Sequence, residues 1–292
     1  MKTVHTIGCS FTNWIYPTWS DYIAEYTNLE VVNLAKCGQG NDAIKYNLYT
    51  IDKSDHVFIM FSGYDRYSIG FDNKWLKQII NQKEKTYKIK KIIRKDLYQY
   101  FKCSSPLTGF FPSKYIDDYV FSIFHYYSNM LANIYDCQNY LELKNIDYTF
   151  SLWQGFYNDV VEIRGINQAK NSIQDFLNNK LFQTLYDSIK WNKFVQPKEK
   201  GLWEHMLTNK TLVEVQSTVD YHPSTLCHLS YFKKYIKPIL ESKTECRNNI
   251  DILENKALQF SKYYKQHCEN LSELPEFDQG LKQEFFKKYN EY

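Results

Sequence analysis

Three residue types that together turn a hydroxyl into an acyl-transfer nucleophile stand near opposite ends of this chain. Ser10 closes Gly8-Cys9-Ser10, and Asp220 and His222 lie in Asp220-Tyr221-His222-Pro223-Ser224. A serine hydroxyl is a weak nucleophile until a base takes its proton, and the base needs an acid to fix its tautomer. Ser10 is therefore the candidate nucleophile, His222 the candidate base and Asp220 the orienting acid. Asp220 and His222, two residues apart in one turn, serve only if that turn presents both side chains to Ser10. The oxyanion of an acyl-transfer intermediate needs preorganised donors, and loss of one costs about 100- to 1000-fold in rate. The backbone N–H groups of Ser10 and of Gly38 or Gly40 are the candidates.

The elements that must position these residues follow from the apolar pattern. Val4–Ile7 reads as a buried strand that ends in the Gly8-Cys9-Ser10 turn, and chemistry in an open α/β sheet gathers just beyond the carboxyl ends of strands. A helix is predicted over 13–26, entered through Pro17, with Trp19, Tyr22, Ile23 and Tyr26 on one face. Glu30–Leu34 is a second strand, followed by the glycine-bearing turn 35–41 and a helix over 42–49. His56–Ser62 (HVFIMFS) is unbroken apolar, as befits a central parallel strand covered on both faces. It runs into Gly63-Tyr64-Asp65-Arg66. Three strand–turn–helix units in succession predict a doubly wound parallel sheet, an α/β/α three-layer fold of flavodoxin type.

Further along, Asp118–Leu143 reads as a strong helix and Tyr148–Trp153 as a fourth strand. Helical insertions are expected over about 70–117 and 160–211, the second striped by Ile173, Leu177, Leu181 and Leu185. Leu212–Val215 suits a weak fifth strand or an extended lead-in. Ser224 suits the N-cap of a last core helix that buries Leu226, Leu229, Phe232, Ile236 and Leu240, with Pro238 bending or shortening its end. The α/β domain is thus expected over 1–242, with a helical extension over 243–292. In that extension Ile250, Leu253, Ala257, Phe260 and Tyr264 form a short seam, suited to packing on its own domain or to a subunit interface.

Composition narrows the function classes. Lys and Arg number 36 against 33 Asp and Glu, a balance that argues for neither nucleic acid nor an anionic membrane surface. The basic run Lys83–Lys95 carries Ile89, Ile92 and Ile93 and reads as a solvated helix face. Seven cysteines form no CxxC pair and no zinc spacing, so reduced thiols, no metal and no disulfide framework are expected. No signal-peptide profile and no apolar run of about 18 residues is found, so a soluble, cytoplasmic chain is expected. His5 and His228 read as structural histidines, and Cys9 and Cys227 as small buried residues. Trp14, Tyr16 and Trp153 suit either a sugar-stacking surface or the core.

Taken in order, these residues resemble the SGNH (GDSL-like) hydrolases. Gly8-Cys9-Ser10 matches the family's first block, with Cys9 where the family has Asp. Asn33 with Gly38 matches the second, Val57–Arg66 the third, and Asp220 with His222 the last. The resemblance spans 4–228 and implies a three-layer α/β/α sandwich that needs no cofactor. It implies an esterase acting on an O-acyl group, such as O-acetyl, of a small molecule or glycan, with Gly38 as an oxyanion donor. GCSFT, Pro17-Thr18-Trp19 and GQGND are similar to a subgroup common in bacteriophages and aquatic bacteria, some of them virion components. One departure stands out: Tyr64 occupies the place of the family's oxyanion asparagine, with Asp65 beside it, and Asn41 is the candidate substitute. The rival reading is a non-catalytic binding or virion-assembly module, self-associating through the C-terminal helices. A flavodoxin-like nucleotide binder is disfavoured, because the first turn lacks a phosphate-cradling glycine pattern.

Overall fold

Alternation along the strands decides how this chain folds. In β3, His56–Phe61, every residue is buried. Val57, Ile59 and Phe61 enter one apolar cluster while Phe58 and Met60 enter another. A strand with both faces apolar must be covered by helices on both sides. The computed structural model describes residues 1–14, 16–36, 38–63, 66–71, 99–104, 123–155, 177–196, 200–208 and 222–268. Among these, β1 (Thr3–Ile7), β2 (Glu30–Asn33), β3 and β6 (Asp147–Leu152) form a parallel sheet in the order β2-β1-β3-β6.

One face of the sheet packs on α2 (Asn41–Leu48), α3 (Ile123–Leu143) and α4 (Lys180–Ser188), through Ile44, Leu131, Ile134, Leu141, Phe182 and Tyr186. The other packs on α1 (Trp19–Tyr26), α5 (Leu202–Thr208), α6 (Thr225–Tyr231), α7 (Lys237–Glu241) and α8 (Ile250–Cys268). The fold is thus an α/β sandwich with a parallel sheet between two helical layers. Because β2 and β3 flank β1 on opposite sides, the chain reverses direction across the sheet at β1. The crevice at such a reversal opens at the carboxyl ends of the two central strands. Ser10 follows β1 and Ser62 follows β3, so both stand at that edge.

Several elements differ from their sequence expectation. α1 begins at Trp19, not near residue 13, because Thr18 and Asp21 cap it there: the Thr18 N–H donates to Asp21 Oδ2 at 2.8 Å. Of the expected stripe, Leu177 and Leu185 pack against the cluster that buries Phe182 and Tyr186, whereas Leu181 is 65% exposed. Helix is expected over about 70–117, yet Gln99–Ser104 is a strand, β5, paired antiparallel with β4 (Arg66–Phe71). Tyr100 and Phe101, and Tyr67, Ile69 and Phe71, are strand-favouring types. Lys83–Lys95 and Leu212–Val215 lie outside the described residues.

Ser224 caps α6 as expected, its Oγ accepting from the Cys227 N–H at 3.2 Å. Leu229, Phe232, Ile236 and Leu240 are buried behind it. Between α6 and α7 the backbone widens into a π-helical stretch, Phe232–Ile236, where the Lys237 N–H reaches the Phe232 carbonyl. Pro238 explains the slip: it has no N–H to continue an α-helical ladder. Helix α8 buries Leu253, Ala257 and Phe260; Leu253 and Ala257 enter the same cluster as α1 and α6, so this segment packs on its own fold.

Candidate functional site

β1 ends at Ile7, and the chain must then turn sharply at the sheet edge. The N–H groups of Thr12 and Asn13 both donate to the Cys9 carbonyl, at 2.9 and 3.2 Å, closing a tight turn around Ser10 and Phe11. Gly8 is required there, because a Cβ on it would lie 2.1 Å from Thr12 Oγ1 and 2.8 Å from Thr12 Cβ. Ser10 itself is 2% exposed. Its turn is held by Thr18 Oγ1 and Asn33 Nδ2, which donate to the Thr12 carbonyl at 2.7 and 3.1 Å.

The second loop is stitched to the first. Asn13 Nδ2 donates to the Ala35 carbonyl at 3.0 Å, and the Lys36 N–H donates to Gly8 O at 3.3 Å. Asn33, part of the second block, thus supports the Ser10 turn with its amide nitrogen and takes the Ala35 N–H on Oδ1 at 3.0 Å. Gly38 has φ 70°, the left-handed region that a side chain resists, so glycine is required at this position. Gly40 is the N-cap of α2. Gly40 therefore stands at the start of α2 and Gly38 two residues before it, near the positive end of the helix dipole, a favourable surrounding for developing negative charge.

Asn41, the first residue of α2, is 2% exposed and spends its side chain on the loop after β3. Its Oδ1 accepts from the Ser62 N–H at 2.8 Å, and its Nδ2 donates to the carbonyls of Ser62 and Gly63 at 3.2 and 3.4 Å. An amide that brackets one residue through both its N–H and its carbonyl acts as a clamp on that loop. Tyr64 and Asp65 follow directly and lie outside the described residues.

His222 comes from the other end of the chain, three residues before α6. Its ring stacks on Trp14 at 3.8 Å between centroids and 21° between planes, and lies 5.1 Å from Phe11, the residue after Ser10. The turn that bears it is anchored to the first block: Tyr16 Oη donates to the Pro223 carbonyl at 2.8 Å, and Thr225 Oγ1 donates to Pro17 O at 3.0 Å. Tyr22 Oη and Thr225 Oγ1 are 2.6 Å apart. Burial drives the Tyr22 hydroxyl well above the usual phenol range, which keeps it a neutral donor. Asp220 lies outside the described residues.

The far wall is the loop after β6. Trp153 packs on Phe11 at 4.8 Å between ring centroids, and its carbonyl accepts from the Trp203 N–H at 2.7 Å. Glu204 Oε2 accepts from the N–H groups of Gly155 and Gly201, at 3.0 and 2.5 Å. Gly201 lies flush on this loop, since a Cβ there would stand 2.6 Å from Gln154 N.

Trp14, Tyr16 and Trp153 are 8%, 1% and 7% exposed, so of the two readings open to them they take the core one. His228 is 1% exposed, and His5 Nδ1 lies 2.9 Å from Ser54 Oγ. Cys9 and Cys227 are buried free thiols; burial pushes the Cys227 thiol up to about 12, far from a reactive thiolate. Among the described residues no group of three or more His, Cys, Asp or Glu is placed to hold a metal ion. No helix among them is long and apolar enough to cross a membrane. The support of His222 by Trp14 and Tyr16, and the bracing of the Trp153 loop by Glu204, had no signal in the sequence beyond the closeness of these aromatics to Ser10.

The sequence matches no protein-family model and no curated protein. Among solved structures it is similar to the one titled "Crystal Structure of TesA", at 11% identity and a TM-score of 0.40, over 82% of this chain and 100% of that one. A likeness this remote leaves the function to be argued from the residues.

Proposed function

We propose that this chain is a serine ester hydrolase of SGNH type, with Ser10 as nucleophile, His222 as general base and Asp220 orienting His222. The observation that supports this reading most is the seating of His222 on Phe11 and Trp14, one and four residues beyond Ser10 and more than 200 residues away along the chain. In the reaction, Ser10 Oγ bonds to the ester carbonyl carbon as its proton passes to His222. The carbonyl electron pair moves onto oxygen, held by the N–H groups of Ser10 and Gly38. Collapse expels the alcohol, which takes the proton from His222, and water repeats the sequence to free the acid. The substrate class is an O-acyl ester, with an O-acetyl group on a small molecule or glycan as the favoured case. Turnover of p-nitrophenyl acetate by the wild type and its loss in Ser10→Ala test this; equal rates would refute it.

One observation favours a second reading. At 2% exposure Ser10 is more enclosed than a nucleophile open to solvent, which suits a non-catalytic binding or assembly module on the same fold. That reading expects no turnover from the wild type, and self-association or partner binding in a size measurement.

A further inference from the structure

We infer that Ser62 supplies an oxyanion donor beside the backbone N–H groups, its hydroxyl meeting the oxyanion formed on Ser10. The inference rests on the ester hydrolase reading above and assigns a residue within it. Ser62 is 0% exposed, and its Oγ is buried without a hydrogen-bond partner. A buried hydroxyl normally finds a partner, because leaving one unpaired costs free energy, so an orphan calls for a reason.

Register gives the reason. β1 and β3 pair from Val4 with His56 to Ile7 with Ile59. Continued a step or two further, the same register leads toward the sheet's carboxyl edge, where the chain after β1 turns at Cys9 into Ser10 and β3 runs on to Ser62. The two chains still run side by side at the first of those steps, since a Cβ on Gly8 would stand 3.1 Å from the Met60 carbonyl. On the other flank the Trp153 N–H donates to the Phe61 carbonyl at 3.1 Å. Ser62 therefore occupies the middle of the sheet's carboxyl edge, between the nucleophile turn and the Trp153 wall.

Its backbone is fixed before any substrate arrives. Asn41 accepts from the Ser62 N–H and donates to the Ser62 carbonyl. A donor held in place by such a clamp needs little reorganisation when charge develops, which is the condition for strong electrostatic stabilisation. Ser62 and Ser10 are both buried, and both follow the carboxyl ends of adjacent strands. No bond of Ser62 breaks: its O–H donates to the carbonyl oxygen as that atom gains charge, and the proton stays on Ser62.

The test is p-nitrophenyl acetate kinetics on the full chain, with thermal unfolding measured alongside. In Ser62→Ala, kcat should fall about 100-fold, the scale of one lost oxyanion donor. KM should stay within about twofold, because the bond is made in the transition state. The midpoint of thermal unfolding should not fall, since the change removes an unpaired hydroxyl. Ser62→Cys, with a weak S–H donor, should fall between the two. An unchanged kcat in Ser62→Ala, with Ser10→Ala inactive, overturns the role of Ser62 and leaves the hydrolase reading standing. A fall in kcat with an equal loss of thermal stability assigns Ser62 to structure and also overturns it. A wild type that turns over no ester overturns both.

Discussion

The Tyr16 hydroxyl donates to the carbonyl oxygen of Pro223 at 2.8 Å, joining the segment after the nucleophile turn to the residue after His222. Both partners are buried, so the bond cannot be replaced by solvent when one is removed. Tyr16→Phe keeps the ring and deletes only the donor, leaving a buried carbonyl short of its partner. The expected cost is about 1–3 kcal/mol of stability, read as a lower denaturant midpoint with an unchanged m-value. An unchanged midpoint would mean that the contact carries no energy.

Trp14 provides the flat surface on which the His222 ring rests. Under the ester hydrolase proposal its loss frees the base that must stay aligned with Ser10, and misplacement of about 1 Å can cost on the order of 100-fold in rate. Trp14→Ala should therefore lower kcat about 10- to 100-fold on p-nitrophenyl acetate, with Trp14→Phe recovering much of the loss. Equal losses in both variants would assign Trp14 to stability alone.

Two buried histidines hold the pH response. His56 is 1% exposed, and burial together with the Lys243 ammonium lowers it to about 4, although Asp147 pulls the other way. Its Nε2 lies 2.9 Å from Thr149 Oγ1. His205, in α5, is also lowered to about 4, by burial and then by Lys234. In both cases the unfolded chain takes up the proton first, so folding favours the neutral ring. Stability is complete above the ordinary histidine range and falls as pH drops from about 6.5 toward 4, where the unfolded state binds more protons. The slope approaches about 1.4 kcal/mol per pH unit for each histidine. Asp147 is itself held down to about 2: burial would raise it, but Lys243 and His56 outweigh that. Its contribution is lost only below the ordinary carboxylate range. Urea unfolding at pH 7 and pH 5 checks this, and His56→Gln should flatten the difference by about one histidine's share.

Much of the fold was legible because it rests on local rules. The uninterrupted run His56–Phe61 could only be a covered central strand, and Ser224 before an apolar-periodic stretch could only sensibly be a helix cap. The ribbon of β4 and β5 was hidden because its strands are separated by a basic stretch whose isoleucine spacing mimics a helix. The start of α1 departs from its expected place because Asn13 to Pro17 has helix-like aromatics, yet those residues tie the first loop to the second and to the His222 turn. Ser62 was invisible for a different reason. A serine at a strand end is commonplace, and only burial, register and the Asn41 clamp together single it out.

Covalent capture of the nucleophile tests the central claim most directly. The chain is incubated with a fluorophosphonate ester, and the adduct is located by mass spectrometry of its peptides. A single phosphonyl group on Ser10, absent in Ser10→Ala and formed far more slowly in His222→Ala, is the expected result. No adduct, or one at another residue with Ser10 unmodified, would contradict it.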